Sequence, residues 1–168
     1  MAEMDDLDRR ILQSLQRNGR ARNVDLARTF GVAPSTMLER VRRLEDQGVV
    51  QGYRAIVDRK RLGFTVQGFV SITLDRHNIE QIRRLEEEIQ NIPHVCACYH
   101  LTGRFDYMLH IAARDLNHLG ELIKERIATI PGIGKMETFL VLSEVKSMEG
   151  CVICDSPQGV APRPAEPT

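Results

Sequence analysis

Three sets of side chains in this 168-residue chain have types and spacings suited to chemistry. The first is Ser35, Thr36, Glu39, Arg40 and Arg43, close together in a segment of helical spacing. Hydroxyls suit phosphate oxygens, guanidinium forks suit guanine edges, and a carboxylate accepts from the cytosine amine, so the set suits reading of nucleic acid. The alternative is an amphipathic helix whose arginines are merely solvated and pair with Glu39, Glu45 or Asp46. The second set is the turn Thr102-Gly103-Arg104-Phe105-Asp106-Tyr107. Gly103 permits a tight backbone with exposed amides for a carboxylate, and Asp106 offers an anion for an ammonium, the two ends of an amino acid. An ordinary hairpin whose aspartate bonds backbone is the other reading.

The third set is made of cysteine and histidine. Cys96-Ala97-Cys98-Tyr99-His100 puts two thiols and an imidazole on one strand face, and a register that brings His110 alongside completes a soft-metal set. Core thiols and histidines hydrogen-bonded across an interface account for the same residues. Cys151-Val152-Ile153-Cys154 is a CxxC, but it lacks the second CxxC or His pair of a zinc site and does not open a helix as redox centres do. The expectation is no metal and no cofactor, with a redox or metal role for Cys96, Cys98, Cys151 and Cys154 left open.

These residues need elements to hold them. Asp5 or Asp6 can cap a first helix with Leu7, Ile11, Leu12 and Leu15 on one side, stopped by Asn18-Gly19. A short second helix runs from Asn23 to Phe30 and closes at Gly31, and a third runs from Pro34 to about Gln47 with Met37, Leu38, Val41 and Leu44 inward. Two helices joined by so tight a turn form a helix-turn-helix, whose later helix lies in the DNA major groove. The tight turn tips the first set toward DNA. Val49 to Val57 reads as a wing and strand, and Arg59-Lys60-Arg61 adds cations where the chain leaves the module.

The remainder alternates strand and helix. Val66–Leu74 has period two, Asn78 starts a helix carrying Ile79, Ile82, Leu85 and Ile89, and Asn91-Ile92-Pro93 ends it. Strands over 94–102 and 106–113 follow, Asp115 caps a helix to about Ile130, and a last strand covers about 135–145. The order βαββαβ is the ferredoxin-like split βαβ, so the fold class is α+β: an N-terminal winged helix-turn-helix followed by a ferredoxin-like domain. The predicted division is 1–52 for DNA binding, 53–65 as a linker strand, 66–150 for sensing and oligomerisation, and 151–168 as a tail without fixed structure, holding four of the seven prolines.

Composition agrees with two small soluble domains. The hydrophobic fraction is 42%, no apolar run approaches the ~20 residues of a membrane span, and no signal segment opens the chain, so a cytoplasmic protein without membrane contact is expected. The net charge of zero hides a split, because residues 17–61 hold 11 Lys/Arg against 5 Asp/Glu. A basic module beside an acidic remainder fits nucleic-acid binding.

The run Asp5-Asp6-Leu7-Asp8-Arg9-Arg10-Ile11-Leu12, with Gly19-Arg20, Leu26-Ala27, Gly31-Val32-Ala33-Pro34-Ser35-Thr36, Arg40-Val41-Arg42-Arg43-Leu44-Glu45 and Gly48-Val49-Val50-Gln51-Gly52-Tyr53, resembles the Lrp/AsnC (leucine-responsive, feast/famine) transcriptional regulators. The resemblance spans about residues 4–148. It implies sequence-specific binding of double-stranded DNA, no enzymatic activity, and an amino-acid effector held by the Gly-x-x-Asp turn. Leu101, Thr102, Gly103 and Asp106 are the residues carried over to that site, with a neighbouring chain completing it, and Arg104 and Phe105 tune preference. Ala33 departs from the family, in which serine often caps the third helix, a loss of roughly 1 kcal/mol. A sirohaem decarboxylase-like tetrapyrrole enzyme and a stand-alone amino-acid sensor are the competing functions on this fold.

Strand parity predicts a partner. With Val70, Ile72, Val95, Ala97, Tyr99, Leu109 and Ile111 toward the helices, the other face carries Phe69, Thr73, Cys96, Cys98, His100, Met108, Phe139 and Val141. That face is too apolar for water, so a homodimer is expected, assembling into a tetramer or octamer.

Overall fold

Local signals set the first three helices. In the computed structural model, which describes residues 4–75, 78–146 and 153, α1 spans Asp6–Arg17. Its cap is Asp5, whose carboxylate accepts the Asp8 amide at 2.8 Å while the Asp8 carboxylate accepts the Asp5 amide at 3.3 Å. This reciprocal box satisfies two donors at the helix start. α2 (Asn23–Phe30) ends at Gly31, whose φ of 68° closes the turn into α3 (Pro34–Asp46). Pro34 opens α3, and Ala33 gives it no side-chain cap.

These helices bury Ile11, Leu12, Leu15, Leu26, Ala27, Met37, Val41 and Leu44 in one core. Leu38, expected inward, is 38% exposed, because the stripe of Met37, Val41 and Leu44 leaves it at the edge. Beyond α3 the chain folds back: the Val49 and Val50 amides donate to the Leu44 carbonyl. The Tyr53 ring lies against Gly19, where a Cβ would come within 3.1 Å of Cδ1, and its hydroxyl donates to Glu45 at 2.9 Å. Burial and the Glu45 carboxylate push the Tyr53 phenol up to about 12. Among the described residues no strand forms between Asp46 and Val66, so the wing expected over 49–57 is an irregular return.

The described chain up to Ile56 forms one compact unit together with Lys146 and Ile153, and Val57–Val145 form a second. Ile153 is half-buried against the core of α1–α3, and the Gln13 side-chain amide donates to its carbonyl at 3.4 Å. Cys151, Cys154 and the proline-rich remainder of the tail lie outside the described residues.

The second unit has the predicted order: β1 (Val66–Leu74), α4 (Ile79–Gln90), β2 (Val95–His100), β3 (Tyr107–Ala113), α5 (Leu116–Leu122) and β4 (Ile133–Leu140). The antiparallel sheet runs β2-β3-β1-β4, the split βαβ arrangement. Asn78 and Asp115 cap α4 and α5 through their side chains. α5 continues into a π-helical turn over Ile123–Ile127. The extra residue in that turn brings Ile127 inward after Leu119 and Leu122, whose spacing a regular helix would break. The core joins Val70, Ile72, Leu74, Tyr107, Leu109 and Ile111 of the sheet to Leu85, Ile89, Leu119, Leu122 and Ile127.

One expectation of strand parity is corrected in β2. Val95 faces Ile111, but Ala97 faces His110, Cys98 faces Leu109, Tyr99 faces Met108 and His100 faces Tyr107. Cys96 is therefore an inserted residue, and such a bulge reverses every later side chain. Cys98 and His100 join the helix-covered side, and Ala97 and Tyr99 join the open side. The grouping with His110 that a soft-metal set requires does not form for this reason, since His110 stands on the open face, stacked on Phe69 at 4.9 Å. Among the described residues no group of three or more His, Cys, Asp and Glu has the geometry to hold a metal ion.

Candidate functional site

The helical unit places its candidate residues on α3. Ser35, Thr36 and Glu39 are exposed on its first two turns. Arg40 and Arg43 meet a partner on another helix. Arg40 Nη1 lies 2.6 Å from Asp5 Oδ2 and 2.9 Å from Asp8 Oδ1, and Arg43 Nη2 lies 2.6 Å from Asp8 Oδ2. Asp8 is buried, at 1% exposure, while the Arg40 and Arg43 side chains retain 24% and 45%. The bonds from the Asp8 amide and the Arg40 guanidinium hold the Asp5 carboxyl below its ordinary range, and the same carboxylates raise Arg40.

The alternative pairing with Glu39, Glu45 or Asp46 does not form for these two arginines; the carboxylates come from α1 instead. A signal for this existed in the sequence. Position 8 lies three and four residues before Ile11 and Leu12, so Asp8 sits on the buried stripe of α1 and requires a cation there. Arg42 is exposed and makes no ion pair or side-chain hydrogen bond among the described residues.

The sheet unit places Leu101, Thr102, Gly103 and Asp106 on the loop between β2 and β3. Gly103 takes φ 123°, in the left-handed half of backbone space that favours glycine. Leu101, Thr102, Gly103 and Arg104 are exposed, and Asp106 is half-buried. Three bonds fix the loop base: the Leu101 amide to the Asp106 carbonyl at 2.8 Å, the Asp106 amide to the Ile72 carbonyl at 2.9 Å, and the Leu74 amide to Asp106 Oδ2 at 2.7 Å. Asp106 thus presents a carboxylate anchored to β1. Arg104 stacks over Phe105 at 4.7 Å and bridges to Glu137 at 3.1 Å. Next to the loop, Glu86, Ile89, Gln90, Cys98, His100 and Tyr107 line a cleft between α4 and β2. His100 stacks on Tyr107 at 4.6 Å, whose hydroxyl donates to Glu86 at 2.8 Å. Partial desolvation and the Glu86 carboxylate push the Cys98 thiol up, away from reactivity.

The uncovered sheet face carries Phe69, Tyr99, Met108, His110 and Phe139, with Tyr99 44% and Phe139 43% exposed. His110 Nε2 lies 3.0 Å from Gln67 Oε1, which also accepts from Arg59 at 2.9 Å. An oxygen accepts in both bonds, so the neutral imidazole carries its proton on Nε2. Burial, then the Arg59 cation, lowers the His110 pKa from its ordinary value.

Known proteins match both halves. Residues 4–51 match the winged helix-turn-helix DNA-binding model and residues 67–150 the Lrp/AsnC ligand-binding domain. The leucine-responsive regulatory proteins of Klebsiella pneumoniae and Escherichia coli K12 are each 36% identical over 151 residues, covering 90% of this chain and 92% of theirs. Among solved structures, the Neisseria meningitidis transcriptional regulator NMB0573 in complex with L-Met superposes with TM-score 0.83 at 30% identity, over 86% of this chain and 94% of that one. Escherichia coli AsnC gives 0.79 at 29%, over 88% and 99%. Identity of this extent, over both modules in the same order, makes the chain a member of the Lrp/AsnC family of DNA-binding transcriptional regulators.

Proposed function

We propose that this regulator acts without covalent chemistry, as an amino-acid-responsive, sequence-specific DNA-binding protein of the cytoplasm. Two copies join through the open sheet face, present two α3 helices to a pseudo-palindromic site, and assemble further into a tetramer or octamer. The observation that carries the reading is the pairing, in one chain, of an exposed Ser35-Thr36-Glu39 face with a Gly103-Asp106 loop of fixed geometry. The L-Met complex of the Neisseria meningitidis relative supports an amino acid as effector. Exposed amides around Gly103 suit its carboxylate, and the Asp106 carboxylate suits its ammonium. Binding that favours one assembly shifts the spacing of the α3 helices. A coupling of ~1 to 3 kcal/mol changes operator occupancy about 5- to 150-fold.

The sirohaem decarboxylase-like reading loses support because His100 and His110 lie on opposite faces of the sheet. A stand-alone sensor leaves the basic helical unit without use. Among the described residues no helix is long and apolar enough to cross a membrane.

Titration against the gene's own upstream DNA and a scrambled control, at fixed salt, with and without pooled amino acids, tests the reading. Specific binding modulated by the pool is the expected result, and binding indifferent to both sequence and pool overturns it. Asp106→Asn keeps an oxygen for the Leu74 amide and removes the charge. Calorimetry should show affinity for the selected amino acid falling about tenfold or more, with DNA binding intact. An unchanged isotherm removes Asp106 from the site.

A further inference from the structure

We propose that Asp8 is a positioning residue for DNA recognition: it holds Arg40 and Arg43 against α1 and leaves Arg42 as the guanidinium that α3 offers to DNA. The inference rests on the reading of α3 as the DNA-facing helix and adds Arg42 to its contact set.

The run Arg40-Val41-Arg42-Arg43 places three guanidiniums within one helical turn, and sequence alone does not rank them. The structure does. Asp8 is the buried acid on α1, and each of its carboxylate oxygens takes one arginine: Oδ1 takes Arg40 at 2.9 Å and Oδ2 takes Arg43 at 2.6 Å. Asp5 adds a second acceptor to the same Arg40 nitrogen at 2.6 Å. A guanidinium shared between two carboxylates lies off the outward face, and releasing it to reach a base would leave a buried carboxylate without that partner.

Arg42 has the opposite surroundings. Helical spacing puts Ser35, Glu39 and Arg42 on one outward face, away from the stripe of Met37, Val41 and Leu44, and all three are exposed. The guanidinium of Arg42 has no carboxylate partner among the described residues, so it meets DNA without first breaking an ion pair. Arg43, with one amino group on Asp8 and its side chain 45% exposed, is left with donors for a phosphate.

The experiment compares full-length Arg42→Ala, Arg40→Ala and Asp8→Asn for binding to the operator and to scrambled DNA across a salt series, each below its own melting temperature. Arg42→Ala should lower operator affinity about 5- to 150-fold with melting unchanged. Arg40→Ala should lower melting and leave the operator-to-scrambled ratio as in the parent. Asp8→Asn frees two cations, so binding to scrambled DNA should strengthen in low salt and its salt slope steepen by about 0.9 for each new phosphate contact. A purely structural loss would weaken both DNAs together and leave the slope alone, and that result overturns the role given to Asp8. Loss of operator preference in Arg40→Ala at unchanged melting, with Arg42→Ala like the parent, also overturns it. Ser35→Ala and Thr36→Ala separate this failure from failure of the underlying reading: if they too leave operator affinity unchanged, α3 is not the DNA-facing helix.

Discussion

The helical unit closes its core within one chain, whereas the sheet unit covers one face with α4 and α5 and leaves the other to Phe69, Tyr99, Met108, His110 and Phe139. In the helical unit the buried acid Asp8 finds both its cations among α3 residues. On the open sheet face the polar residue His110 is satisfied by Gln67, yet Tyr99 and Phe139 beside it stay exposed. The difference teaches that the helical unit buries its apolar residues within itself, while the half-covered sheet leaves an aromatic face exposed.

The largest break falls in the helical unit. Asp8→Ala removes the buried acid shared by Arg40 and Arg43, whose side chains stay 24% and 45% exposed, and should cost about 2–3 kcal/mol. Hydrogen exchange is the check: amides of α1 and α3 should lose protection while those of β1 and β3 keep theirs. Equal loss in both units would show that they do not fold separately.

Next comes the open face. A charge at Phe139 in Phe139→Asp should weaken self-association by about 2 kcal/mol or more per copy, some 30-fold, by sedimentation. The far-ultraviolet spectrum should remain as in the parent. Persistence of the parent's assembly would move the interface elsewhere.

A smaller change sharpens the comparison from the other side. Ala33→Ser supplies the missing cap of α3 and should add roughly 1 kcal/mol, raising the melting temperature of the helical unit by a few degrees. An unchanged melting curve would mean that Pro34 already fixes the helix start.

The smallest effect is a pH dependence. The folded pKa of His110 lies below its unfolded value near 6.5, so the unfolded chain binds more protons in that window. Stability of the sheet unit is full above about 6.5 and falls as pH drops through the folded pKa. His110→Gln should flatten this slope in denaturant titrations, and the same slope in the variant would assign it to another group.

Much of this was legible before the fold. The cap at Asp5, the stop at Gly31 and the stripe of Ile11, Leu12 and Leu15 depend on neighbours within a few residues, so α1 to α3 and their tight turn follow from the chain itself. The order βαββαβ follows in the same way. The parity of β2 did not, because the insertion at Cys96 is fixed by pairing with β3 and has no local sign. Among the described residues no strand forms over 53–57 either, since a strand depends on a distant edge rather than on its own residues.

The site residues divide along the same line. That Ser35, Thr36 and Glu39 stand on the outer turns of a helix, and that Gly103 permits a left-handed backbone, was set by helical spacing and by the missing Cβ. Which arginine is held and which is offered was decided only when α1 met α3. Thirty-two residues separate Asp8 from Arg40, and only the packing of α1 against α3 brings the two within 2.9 Å.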